Sequence, residues 1–310
     1  MFDKGRVGLA LGGGGARGFA HLGVIKVLEK NKIEFDIVAG TSMGAIIGAA
    51  YAAGVGVEEL EKKTKEFFSS DLFADSPLMA ISRASQKGEQ RWLKRMKNIL
   101  REKLFFARAL FHPGAIPSAE LLPLVSYFVP DVLIENLPRV FRVIATDLVS
   151  GERVVFSRGS LRQAVLASCA VPGAIEPIKR GKMLLSDGGI VSIVPVDAAR
   201  EAGADFVIAV SVDMEIGHWQ GVTSSLGVFM RAGDIAAENL KRQELKRANI
   251  LIRPNVGNSH WTDFLRVSDF IIAGEEATTQ ALALIEKGLP QQNRLRNWLY
   301  NRARQLGFKD

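Results

Sequence analysis

Gly40-Thr41-Ser42-Met43-Gly44 is the stretch of this 310-residue chain best suited to covalent chemistry. It follows the apolar run Ile37-Val38-Ala39 and precedes the helix-like Ala45–Ala53. In that setting a G-x-S-x-G turn forms a nucleophile elbow, in which small flanking residues tolerate a strained backbone and the serine Oγ is exposed at a helix N-terminus. The positive end of the helix favours negative charge developing there. The same five residues also suit an ordinary tight turn with Ser42 as a helix N-cap.

A hydroxyl nucleophile needs a base. Asp147, Asp187 and Asp213 each follow a strand-like run, where the carboxyl edge of a parallel sheet is expected. Asp187 is followed by Gly188-Gly189, which permits a close backbone turn. Residue chemistry leaves all three aspartates open. It also leaves open a Ser-Asp-His triad, because Ser42, Asp187 and His260 run in the chain order of α/β-hydrolases. Taken singly, His21, His112, His218 and His260 each read as structural or exposed.

A second glycine-rich turn, Leu11-Gly12-Gly13-Gly14-Gly15-Ala16-Arg17-Gly18, lies upstream. Consecutive glycines let several backbone N–H groups converge on an anion. The run contains Gly13-x-Gly15-x-x-Gly18, so dinucleotide binding has to be weighed. That fold needs an acidic residue at the end of its second strand, whereas Asp36 precedes the strand here. An oxyanion hole uses the glycines better, since acyl transfer needs preorganised donors, each worth roughly 3–4 kcal/mol. No residues stand at metal-ligand spacing, so neither metal nor cofactor is expected.

The elements that must position these groups alternate. Strand-like runs fall at Val7–Leu11, Ile37–Ala39, Val140–Thr146, Arg153–Phe156, Met183–Ser186, Phe206–Val212 and Ile250–Ile252. Helical patterns fall at Arg17–Lys30, Met43–Ala53, Glu58–Phe68, Leu161–Ser168, Val196–Glu201, Val228–Arg247 and Ser268–Glu286. The alternation predicts an α/β fold with a mainly parallel sheet covered by helices on both faces. One domain over residues 1–310 is expected, with a mostly helical basic insertion or lid over 69–129 and a basic helical tail over 287–310. Ile37 to Val57 holds no charged residue and is long enough to span a bilayer. Its Gly/Ala composition and internal turn favour a strand, a turn and a buried helix instead.

The formal net charge is +7, and Arg83 to Arg108 carries nine basic residues against Glu89 and Glu102, a surplus equal to that of the whole chain. Within it, Leu93, Met96, Leu100, Leu104, Ala107 and Phe111 make one apolar helical stripe, with Phe105 and Phe106 off it. The stripe either packs on the body beneath solvated charge or forms a platform on an anionic membrane. Nucleic acid is not expected as a partner, because no recognised binding motif accompanies the charge. The single cysteine, Cys169, sits in an apolar run and suits a reducing compartment. The start of the chain does not read as a signal peptide, so a cytoplasmic location is expected, with peripheral contact at the inner membrane face.

Together, Gly13 to Gly18, Gly40 to Gly44 and Asp187-Gly188-Gly189 resemble the signature of the patatin-like phospholipase family, particularly its short bacterial members. Ala20 to Val24, Ala145 to Leu148, Ala167 to Pro172 and Pro195 to Ala199 resemble the family as well. The resemblance covers roughly residues 7–69 and 114–212. It implies a three-layer patatin-like fold and metal-independent hydrolysis of fatty acyl esters of phospholipids or related lipids through a Ser-Asp dyad. By position, Ser42 becomes the nucleophile and Asp187 the base. Gly13, Gly14 and Gly15 become the oxyanion donors, and Arg17, Gly18, Gly40, Gly44, Gly188 and Gly189 support the motifs. The chain departs from the family in Ile190-Val191-Ser192-Ile193-Val194-Pro195, which replaces an asparagine-containing segment and leaves the local support of Asp187 open.

Overall fold

A computed structural model describes residues 5–76, 78–79, 113–213 and 224–290. The first strands follow from continuous apolar runs. β1 (Val7–Leu11), β2 (Ile37–Thr41) and β9 (Phe206–Val210) are buried at every position, as expected for strands covered on both faces. Between β1 and β2 lies α1 (Ala20–Lys30), and β2 leads into α2 (Met43–Ala52), whose residues are all buried. The uncharged run from Ile37 to Val57 is therefore a strand, a turn and a core helix. No helix among the described residues is long and apolar enough to cross a membrane.

α3 (Val57–Ser69) and α4 (Asp71–Ala74) follow, then β3 (Gly114–Ile116), α5 (Leu122–Phe128), β4 (Val140–Asp147), β5 (Arg153–Phe156) and α6 (Leu161–Ser168). The chain continues through β6 (Gly173–Ile175), β7 (Ile178–Arg180), β8 (Met183–Asp187) and α7 (Val196–Glu201). After β9 come α8 (Ser225–Leu245), β10 (Ile250–Ile252) and α9 (Val267–Gly288). Strands β10, β9, β1, β2 and β4 lie side by side in parallel, while β5 and β8 run antiparallel to β4, and β7 antiparallel to β8.

The two-residue period of the strands divides the apolar side chains between two cores. Leu9, Leu11, Val38, Val143, Ile208 and Val210 enter the larger one, with Leu22 and Ile25 of α1, Ile47 of α2, Val165 of α6 and Phe270 of α9. Ala10, Ile37, Ala39, Ile144, Val207 and Ala209 enter the smaller one, with Val196 and Ala199 of α7 and Leu245 of α8. The result is the three-layer α/β arrangement expected from the sequence. Each fully buried large aliphatic contributes roughly 1.5–3 kcal/mol to holding it.

The expected insertion, residues 69–129, is described only at its two ends, and these are not wholly helical: β3 pairs in parallel with β6. The basic stretch Arg83 to Arg108 and its apolar stripe lie outside the described residues, as does the tail beyond residue 290.

One feature of the topology sets up the site. β2 pairs with β4 through Thr41 opposite Ile144, and β8 pairs with β4 through Asp187 opposite Ala145. β5 occupies Val143 to Thr146 of β4, overlapping both ladders, so β2 and β8 must share the opposite edge. They arrive from opposite directions, and their carboxyl ends meet.

Candidate active site

The residues that follow those two strand ends are Ser42 and Gly188. Ser42 has φ 54 and ψ −121, a left-handed conformation costing a non-glycine residue on the order of 1–3 kcal/mol. Its neighbours impose it. An added Cβ at Gly44 would lie 2.2 Å from the Leu11 carbonyl oxygen, and one at Gly40 would lie 2.5 Å from the Gly44 oxygen, so the turn is wedged between β1 and α2. The Ser42 N–H donates to Ser168 Oγ at 2.9 Å, a tie from the last residue of α6. The Ser42 side chain makes no capping bond to α2, which removes the plain N-cap reading. Its hydroxyl lies near enough to the Asp187 carboxylate to favour that group's ionised form.

Asp187 is buried, and burial pushes its carboxyl up to about 6; the Gly189 N–H, donated to Oδ1 at 2.7 Å, and the Ser42 hydroxyl oppose that rise. Its backbone is fixed on both sides, with its N–H donated to Ala170 O at 2.9 Å and its carbonyl accepting from Thr146 Oγ1 at 2.8 Å. Gly188 has no room for a side chain, since a Cβ would sit 2.4 Å from the Ile144 oxygen.

The other aspartates are occupied elsewhere. Asp147 organises the β4–β5 turn, accepting from Leu184 N at 2.9 Å, Val149 N at 3.1 Å and Ser150 Oγ at 2.9 Å; the Leu184 amide chiefly holds its carboxyl below the usual range. Asp213 pairs with Arg17 at 3.3 Å and with Lys241 at 3.2 Å. Of the three that residue chemistry left open, Asp187 is the one beside Ser42.

Among the described histidines neither reaches the pair. His21 is fully buried, with Nε2 on the Gly12 carbonyl at 2.8 Å, and burial lowers its pKa to about 4, so it is a neutral brace for the glycine turn. His260 is exposed, with Nδ1 on Thr262 Oγ1 at 2.7 Å. The expected alternative of a triad through His260 therefore has no bond to Asp187. His112 and His218 lie outside the described residues.

The glycine turn stands against the serine: a Cβ at Gly13 would lie 3.5 Å from Ser42 Cβ, and one at Gly18 2.5 Å from Met43 Cγ. Its expected role needs one correction. The Gly13 N–H is already engaged, donating to Ile193 O at 2.9 Å, so it ties the turn down rather than facing a substrate. Among the described residues nothing accepts the N–H of Gly14 or Gly15. Gly15, at φ 57, packs against the Trp261 carbonyl, which accepts the Ala16 N–H at 2.7 Å. Arg17 is buried and donates through Nε to Gly14 O at 3.2 Å while pairing with Asp213.

The departing segment 190–195 also has a place. Ser192 O accepts from Thr41 Oγ1 at 3.0 Å and Ile193 O accepts from Gly13, so it braces both turns. Sequence reasoning missed Ser168, although it lies within the family-like stretch Ala167 to Pro172, and missed Lys241 and Glu244 of α8, for which no local motif existed.

A family model described as patatin-like phospholipase matches residues 9–200. Over 210 residues the chain is 36% identical to an uncharacterised NTE family protein of Mycobacterium bovis, covering 67% of this chain and 49% of that protein. It is 32% identical over 212 residues to patatin-like phospholipase domain-containing protein 6 of Mus musculus, covering 66% of this chain and 13% of that one. The crystal structure of VipD from Legionella pneumophila aligns with 91% of this chain and 67% of its own at a TM-score of 0.47 and 17% identity, too loosely to bear on the site. The chain belongs to the patatin-like phospholipase family. It spans about half the length of the mycobacterial relative, at 49%.

Proposed function

We propose that this chain is a serine acyl hydrolase that cleaves fatty acyl esters of phospholipids or related lipids, with Ser42 as nucleophile and Asp187 as base. The observation that carries the reading is the strained Ser42 at the end of β2, set beside a buried Asp187 at the end of β8 whose carboxyl burial lifts to about 6, closer to working pH than an ordinary aspartate and so a better base. Ser42 Oγ attacks the ester carbonyl carbon as Asp187 takes its proton. The resulting oxyanion is met by the N–H groups of Gly14 and Gly15 and by the positive end of α2. Collapse expels the alcohol, which takes the proton from Asp187, and leaves the acyl group on Ser42. A water then attacks the acyl carbon, giving its proton to Asp187, and the Ser42 oxygen leaves with that proton as fatty acid is released.

The basic stretch Arg83 to Arg108 is proposed as the surface that meets anionic lipid at the inner membrane face, each well-placed cation adding about 1 kcal/mol. Co-sedimentation that is equal on neutral and anionic vesicles rejects that part. The enzymatic reading is tested with phospholipids, lysophospholipids and short p-nitrophenyl esters, using wild type beside Ser42→Ala. Fluorophosphonate labelling and turnover should both vanish in Ser42→Ala. Lipid binding without any Ser42-dependent turnover would make the protein a binder instead.

A further inference from the structure

α8 lies beyond the stretch that the family model matches, yet it presents three buried charged residues at successive turns: Glu238, Lys241 and Glu244. Lys241 pairs with Glu238 at 2.6 Å and with Asp213 at 3.2 Å, and Asp213 pairs with Arg17, which holds the Gly14 carbonyl. Glu244 works on the other side of the glycine turn. One carboxylate oxygen accepts a short bond from Ser192 Oγ, and the other accepts the Val194 N–H at 3.1 Å. Ser192 and Ile193 in turn offer their carbonyls to Thr41 Oγ1 and the Gly13 N–H. Two bonds thus separate Glu244 from the residue before Ser42, and two from the glycine that stands against it.

We propose that Glu244 is a positioning residue of the Ser42 site, acting through the strap Ser192-Ile193-Val194 to fix the nucleophile turn and the glycine turn relative to each other. The inference rests on the hydrolase reading above. Displacement of the reacting groups by about 1 Å is enough to cost on the order of a hundredfold in rate, so a strap contacting both turns has leverage on turnover. The strap only donates to Glu244, and a carboxylate with two acceptor oxygens is the form that takes both bonds at once. Burial raises the Glu244 carboxyl to about 7, against the Ser192, Val194 and Ile193 donors, and Asp197 of α7 raises it further. The charged groups around it are Asp197, itself paired with Arg247 just after α8, and Glu238 and Lys241 on the same helix. Protonation near neutral pH therefore weakens the strap while Asp187 is still ionised.

The test is kcat and KM for a short p-nitrophenyl ester from about pH 5 to about pH 9, with the rate of fluorophosphonate labelling at Ser42 as a second readout. Glu244→Ala is expected to lower kcat at least about tenfold with KM within about threefold. Glu244→Gln, neutral with one acceptor like the protonated acid, should hold kcat above pH 7 near the lowered level of wild type with Glu244 protonated, and should leave a single acid limb near the value of about 6 held by Asp187. Ser192→Ala removes a donor from the Glu244 carboxylate and should move the limb up. A merely structural Glu244 would change the melting transition and leave the limb in place. Superimposed limbs in wild type, Glu244→Gln and Ser192→Ala overturn the proposal, as does a loss confined to KM. Absence of turnover and labelling in the wild type would instead sink the hydrolase reading, and this inference with it.

Discussion

The two glycine-rich turns leave adjacent parallel strands, β1 and β2, yet they are held in different ways. The turn after β2 is fixed by steric contact with its neighbours: Gly40 and Gly44 are packed against backbone, and the strain falls on Ser42. The turn after β1 is fixed by partners far along the chain, namely the carbonyls of Val210, Ile193 and Trp261 and the ion pair of Arg17 with Asp213. The serine turn thus takes its shape chiefly from close steric contact, with ties to Ser168 and Ser192 added, whereas the glycine turn has its shape imposed by hydrogen bonds and an ion pair from the rest of the fold. Its N–H groups are accordingly divided, with those of Gly12 and Gly13 used for anchoring and those of Gly14 and Gly15 without an acceptor among the described residues.

The largest expected effect falls on the serine turn. Ser42→Ala should lower turnover by roughly 10⁴-fold, about 5.4 kcal/mol of barrier, with an unchanged melting transition. Residual hydrolysis within tenfold of wild type would detach the turn from the chemistry.

Next comes the contrast in packing. Gly44→Ala drives a Cβ into backbone oxygen at 2.2 Å and should cost about 3 kcal/mol or more, whereas Gly14→Ala meets a Val212 methyl at 2.7 Å and should cost nearer 1. Denaturant melts giving equal losses would erase the distinction drawn between the turns.

Asp187→Asn should abolish turnover yet stabilise the fold at about pH 8, by roughly 2–3 kcal/mol. Burial raises the carboxyl from 3.8 to about 6, so its stabilising contribution is complete below its unfolded value and is lost as pH rises through about 6. The variant lacks that loss, so the two melting curves should converge in acid. A gap independent of pH would show that Asp187 is not strained by its charge.

The smallest effect is expected from His260→Gln, whose activity should stay within about tenfold of wild type, or roughly 1.4 kcal/mol. A loss as deep as that of Ser42→Ala would restore the triad.

What was legible in the sequence follows the same division. β1, β2 and α2 are written in local apolar runs, and the serine turn lies between two of them, so its position needed no distant information. The choice of Asp187 over Asp147 and Asp213 depends on β4 pairing with two strands on one edge, which no local pattern encodes. The three-residue strands β3, β6 and β7 went unread because they carry glycine or basic residues, unlike the equally short β10, whose Ile250-Leu251-Ile252 is a continuous apolar run. Gly13 was expected to face the substrate because its partner, Ile193, belongs to a segment without a recognisable motif. Glu244 was invisible for a similar reason: on a helix an isolated glutamate reads as solvated until the fold buries it.

The abutting ends of β2 and β8 on β4 have a consequence for how the chain can be rewired. Because Ser42 and Asp187 are placed by strand pairing and by ties to Ser168 and Ala170, the hairpin turns of the sheet carry no positional information about the pair. The β4–β5 turn at Gly151 and the β7–β8 turn at Gly181 are exposed, and both are glycines at positive φ with open space around the missing Cβ. Lengthening either turn, or opening the backbone there and joining the original ends elsewhere, leaves both ladders on β4 intact. The pair proposed to react is in effect a splice between two strands, indifferent to the order in which the chain is threaded through it.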